Sequence, residues 1–67
     1  MPNTLEELAE MLARRDGISL EEAWRMIDAT TEDIDYILAS ETPSYEEVED
    51  VLVDNLGLEP DYLFLFL

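Results

Sequence analysis

Carboxylates are the side chains of this sequence that could do chemistry. Of its 67 residues, 18 are Asp or Glu, three are basic, and the formal net charge is −15. No basic residue follows Arg25. Carboxylates in such excess can serve acid–base catalysis, cation binding or attraction to a basic surface. Their spacing, and the residue types around them, decide between these chemistries.

Two groups of carboxylates recur three or four residues apart, the spacing of one helix face. The first acidic row is Asp28, Glu32 and Asp35, and the second acidic row is Glu46, Glu47, Asp50 and Asp54. Neighbours at this spacing lie about 5–6 Å apart at Cβ, comparable with phosphates along a nucleic-acid strand. The rows could therefore occupy a basic groove built for nucleic acid. A solvated surface that only keeps the protein soluble is the alternative, although such surfaces normally intersperse Lys and Arg.

Enzyme chemistry is disfavoured by the residue types. The sequence has no His and no Cys, so the commonest general base and nucleophile pairs are missing. A carboxylate pair could hydrolyse a glycoside only in a cleft that separates the two pKa values, and so small a domain has little room for one. The segment from Asp50 to Asn55 looks like an acidic calcium loop, but Val and Leu stand where oxygen ligands are needed. We therefore expect no enzyme, no cofactor and no dedicated metal site.

The apolar C-terminal segment offers a second kind of surface. Tyr62, Phe64 and Phe66 alternate with leucines up to Leu67, and they either pack within the protein's own fold or dimer, or dock onto another protein. Trp24, in the middle of an apolar stripe, is expected in the core.

Length and composition limit the class of protein. Residues 1–67 suffice for a single small domain, and the absence of cysteine leaves no disulfide to staple it. No cationic segment precedes an apolar run, and the longest apolar run has six residues against about 20 for a membrane span. We therefore expect a cytoplasmic protein. Its charge disfavours direct binding to nucleic acid or membranes and favours a basic protein partner.

Helix signals predict an all-α fold. Three capping boxes begin at Thr4, Ser19 and Ser44, and Gly17 and Gly57 are placed to end helices. The sequence therefore predicts three main helices, at about 4–15, 20–39 and 44–56, and a short C-terminal helix at about 60–66. Two alternatives stay open: a break at Thr30–Thr31, since β-branched hydroxyl residues disfavour helix interiors, and an extended C-terminal segment.

Apolar residues at helical spacing predict the core. The stripes comprise Leu5, Leu8, Ala9 and Leu12, then Leu20, Ala23, Trp24, Ile27, Thr31, Ile34 and Leu38, and finally Tyr45, Val48, Val51, Leu52 and Leu56.

The stretch from Leu5 to Leu38 resembles the N-terminal helical hairpin of the HU/IHF family of bacterial DNA-bending proteins. The matching residues are Leu5, Leu8, Leu12, Gly17-Ile18-Ser19, Ala23, Ile27, Ile34 and Leu38. The resemblance implies a helical hairpin and a homodimer formed through the first two helices. DNA binding does not transfer, because the chain after Ala39 has no β-saddle, no Gly-Phe-Gly turn and no basic arm.

In style, a short acidic chain ending in Leu-Gly-Leu-Glu-Pro-Asp-Tyr and an apolar tail also looks like small proteins of phages and mobile elements. Several of those inhibit host defence, including anti-CRISPR proteins, and acidic ones often mimic nucleic acid. The leading hypothesis is therefore a non-enzymatic inhibitor that occupies the nucleic-acid groove of a host protein, such as a CRISPR effector. The alternative is a helical adaptor that binds through its apolar stripes and C-terminus.

Overall fold

Helices form all the regular structure in the computed structural model, which describes residues 2–67. The elements are α1 (Leu5–Asp16), α2 (Leu20–Leu38), α3 (Tyr45–Leu56) and a 3-10 helix, η1 (Pro60–Phe66). Each of the three main helices begins and ends within one residue of its predicted bound. The all-α prediction is therefore confirmed, and the C-terminal segment is helical rather than extended.

The three helix starts are capped as the sequence predicts. The hydroxyls of Thr4, Ser19 and Ser44 accept the backbone N–H three residues ahead, at 3.2, 3.1 and 3.4 Å. Each bond satisfies one of the free donors of the first turn. Gly17 and Gly57 end α1 and α3 with φ of 66° and 63°, in the left-handed region where a residue with a Cβ is strained.

Helix α2 runs without interruption through Thr30 and Thr31. Their hydroxyls donate to the carbonyls of Met26 and Ile27, one turn earlier, at 2.8 and 2.9 Å. Because these bonds satisfy the hydroxyls inside the helix, the threonines do not compete for a cap. Of the two alternatives at this point, the continuous helix is the one observed.

The core lies where α2 packs against both α1 and α3, and η1 packs against α3. Its buried apolar residues are Leu8, Ala9, Leu12, Ala23, Ile27, Ile34, Val48, Leu52, Leu56 and Leu58. All but Leu58 belong to the predicted stripes. Of the residues that carry the HU/IHF resemblance, Leu8, Leu12, Ala23, Ile27 and Ile34 are thus already buried within one chain, and the dimer itself stays a prediction.

Two residues of the predicted stripes are exposed, and five are only partly buried, namely Leu5, Trp24, Thr31, Leu38 and Val51. Leu20 is 49% exposed and Tyr45 is 60% exposed, because each is the first residue of its helix and lies at the edge of the packed region. Trp24 is only partly buried, against the margin of the core. Periodicity identifies the face of a helix, but it does not say how far along that face the neighbouring helix reaches.

Among the helices of the described residues, none combines the length and the apolar character needed to cross a membrane.

Candidate functional site: two acidic surfaces

All seven side chains of the two acidic rows are exposed. Within residues 2–67, the ion pairs are those of Arg15 with Asp16 and of Arg25 with Glu21 and Glu22. None of these involves a member of either row. The folded chain therefore leaves both rows un-neutralised and open to a partner.

Asn55 identifies the edge of α2 that faces α3. Its side-chain amide donates to the Thr30 hydroxyl at 3.3 Å and to the Asp33 carboxylate at 2.9 Å. Successive helical residues are rotated by about 100°, so every member of the first acidic row lies roughly 100° or more around α2 from Asp33. The first row therefore faces away from α3.

The second acidic row lies on the outer side of α3. Its members are rotated by roughly 120° or more from the fully buried Leu52. The two rows thus lie on the outer faces of two neighbouring helices, α2 and α3, beyond the seam that the bonds of Asn55 mark.

Neither row lines the two concavities beside η1. A concavity of about 390 Å³ between α1 and η1 is lined by Glu7, Glu10, Arg14, Tyr62 and others, but by no member of the two rows. Within residues 2–67, no group of three or more carboxylates is arranged to hold a metal ion. What the rows offer is exposed negative charge.

The C-terminal aromatic residues are divided between the inside and the outside. Tyr62 and Phe66 are partly buried against the core, whereas Phe64 is 52% exposed. The Tyr62 hydroxyl also donates to the sulfur of Met11 at 3.8 Å. Of the three candidate docking residues, Phe64 is thus the one that faces outward, together with Leu67, which is 66% exposed.

Arg15 has a structural role that the sequence did not indicate. Its guanidinium donates to the carbonyls of Leu56 at 2.6 Å and Gly57 at 3.5 Å, and so caps the C-terminus of α3. It also pairs with Asp16 at 2.8 Å. The hydrogen bond between them raises the pKa of Arg15 and lowers the pKa of Asp16 from its ordinary value.

Replacing Arg15 by Met should lower the free energy of unfolding by about 1 kcal/mol, because α3 loses the cation that binds its last carbonyls. Arg14→Met is the matched control. It removes the same charge from the neighbouring residue, whose side chain is exposed. Urea unfolding of both variants measures the difference. Equal losses would mean that only net charge matters and that the cap contributes nothing.

Added salt should raise the melting temperature of the free protein. The un-neutralised carboxylates repel one another, and screening relieves that repulsion while apolar burial is little affected. Thermal melts followed by circular dichroism across an NaCl series test this expectation. A melting temperature that falls with NaCl would show that attractive charge pairs dominate instead.

Compared with protein-family models, with curated proteins and with solved structures, the chain matches none of them.

Proposed function

We propose that this protein is a non-enzymatic inhibitor that binds the basic nucleic-acid groove of another protein by mimicking nucleic acid. The observation that carries the proposal is the exposure of both acidic rows, to which no cation of residues 2–67 is paired. We propose that such an inhibitor is encoded by a phage or mobile element and acts in the cytoplasm. A CRISPR effector is the most concrete target.

The spacing of the carboxylates supports mimicry. Side chains three or four residues apart on a helix lie about 5–6 Å apart, so a row presents charges at intervals close to those of a phosphate backbone. Lys and Arg of a groove that binds phosphates would meet carboxylates in the same places. Complementary charge would also accelerate the encounter of the two proteins.

The two rows lie on two different helices, so the partner's groove contacts the first row, the second row or both. A row without a direct contact would contribute only long-range attraction. This distinction can be tested, since the rows can be altered separately.

The partner can be sought by pull-down from cells followed by mass spectrometry, and the mechanism tested on the purified pair. Under mimicry, affinity should fall steeply with NaCl, because ions return to both charged surfaces when the proteins separate. A nucleic acid that binds the partner should compete with this protein. Affinity that is independent of salt and unaffected by nucleic acid would rule out mimicry.

The second candidate function is an assembly adaptor that binds through its C-terminal segment. The exposure of Phe64 and Leu67 favours it. An adaptor should bind with weak salt dependence, and Phe64→Ser should weaken binding. Phe64 is a cleaner test than Phe66, because Phe66 also packs against the core and its loss would disturb the fold.

The homodimer implied by the HU/IHF resemblance is a separate proposal about assembly. Since Leu8, Leu12, Ala23, Ile27 and Ile34 are buried within one chain, a dimer through them would need rearranged helices, and any other dimer would need other surfaces. Sedimentation at micromolar concentration distinguishes a dimer from a monomer.

A further inference from the structure

Helix η1 has three edges, and two of them face the core. A 3-10 helix has three residues per turn, so residues three apart lie above one another. Tyr62 with Leu65 and Leu63 with Phe66 form two edges, and all four residues pack against the core. The third edge consists of Asp61 and Phe64. Leu67, the residue that follows the helix, comes next at the same spacing, and all three are exposed. We call these three residues the outer edge of η1.

The outer edge differs from the other exposed apolar residues of the protein. Single exposed apolar side chains are normal on protein surfaces, and Leu20, Tyr36 and Tyr45 are of this kind, at separate places on α2 and α3. Phe64 and Leu67 instead are three residues apart at the C-terminal end of η1. In addition, 3-10 runs beyond three or four residues are uncommon, and this seven-residue run has no buried residue. Contacts from a second side would stabilise it.

The small area of the outer edge limits its occupant. At their observed exposure, a Phe and a Leu side chain offer on the order of 200 Å², whereas a stable interface buries about 800 Å² per partner. The edge is therefore too small to hold a dimer by itself. The outer edge is large enough for one anchoring contact within a larger interface. In such interfaces a few residues contribute much of the binding energy.

Charge decides which occupant fits. A second copy would bring two chains of net charge −15 together and place Asp61 near its own counterpart, which costs energy. Asp61 on the same edge, with Glu59 just before it, instead complements a cation beside an apolar group. We propose that the outer edge of η1 anchors a basic amphipathic segment of the partner protein. An apolar side chain of that segment contacts Phe64 and Leu67, while an adjacent Lys or Arg pairs with Asp61.

This inference deepens the second candidate function, on which it rests for the choice of η1 as a contact surface. It is also compatible with mimicry, because a nucleic-acid-binding protein can supply such a segment next to its groove. To the adaptor function it adds which edge of η1 makes the contact, and that the partner's segment is basic and amphipathic.

The test titrates the full chain, labelled with ¹⁵N, with a synthetic 14-residue helical peptide that has a leucine face and a lysine face. We expect the amide shifts to concentrate in residues 59–67. The double variant Phe64→Ser/Leu67→Ser should bind the peptide about tenfold more weakly. The matched control, Leu20→Ser/Tyr36→Ser, removes one aromatic residue and one leucine elsewhere without changing the charge, and its affinity should stay within about twofold of the parent.

Three results would overturn the inference. The first is that the peptide fails to bind, and the second is that it binds both double variants equally, with shifts confined to the acidic rows. The third is a dimer in sedimentation that the Phe64→Ser/Leu67→Ser variant dissociates, since the occupant would then be a second copy. Should that variant lose its helical signal, Asp61→Lys leaves the apolar pair intact and must still weaken peptide binding. None of these measurements uses the native partner, so the inference can fail while mimicry stands.

Discussion

Replacing Leu52 by Ala should lower the free energy of unfolding by about 2–5 kcal/mol. Leu52 is fully buried in the core, so the truncated side chain leaves a cavity as well as losing apolar burial. At about 0.05–0.15 kcal/mol per residue, a domain of this size has a total stability of the same order. The variant should therefore be largely unfolded near physiological temperature, as circular dichroism and urea titration will measure.

Val53→Ala is the control for this prediction. Val53 is the next residue on α3 and is 52% exposed, so its truncation should change stability by no more than about 0.5 kcal/mol. Both variants place alanine in the same helix, so helix propensity, which differs by less than about 1 kcal/mol among these residues, does not account for a loss of several kcal/mol. Similar losses at both positions would mean that the face of α3 containing Leu52 is not the one that packs in the core.

Reversing the acidic row that contacts the partner should weaken binding by more than about 100-fold, or roughly 3 kcal/mol, under mimicry. The two variants to compare are Asp28→Lys/Glu32→Lys/Asp35→Lys and Glu46→Lys/Asp50→Lys/Asp54→Lys. Each substitution changes the charge by two units, so either triple variant moves the net charge from −15 to −9. Any difference in binding between them reports the position of the charges and not their number.

The two triple variants act as controls for each other. All six positions are exposed, so the helical signal should persist and self-repulsion should fall. Calorimetric or surface-binding titration against the identified partner measures the affinities. A large loss with one triple and a small one with the other would support contact through a single row. Full binding by both would refute mimicry and leave the carboxylates as a solvated coat.

Local signals in the sequence were sufficient to predict the helices. The hydroxyl caps at Thr4, Ser19 and Ser44 and the glycines at 17 and 57 act within one helical turn, so their spacing contains the required information. Thr30 and Thr31 were ambiguous because the same hydroxyls can cap a helix or bond within it. The exposure of Leu20 and Tyr45 was not predicted, because burial depends on where the neighbouring helix ends.

The sequence by itself determined the charge, the helix bounds and the membership of each acidic row. Only the tertiary structure decided that both rows stay exposed, that Arg15 caps α3 and that Phe64 is the outward-facing aromatic residue of η1. The bonds from Arg15 to Leu56 and from Asn55 to Asp33 join residues 41 and 22 positions apart. Such contacts arise from the way the apolar stripes of three helices pack together. Helical periodicity specifies each stripe, but the rotation and axial shift of one helix against another depend on the shapes of side chains that meet only in the folded core.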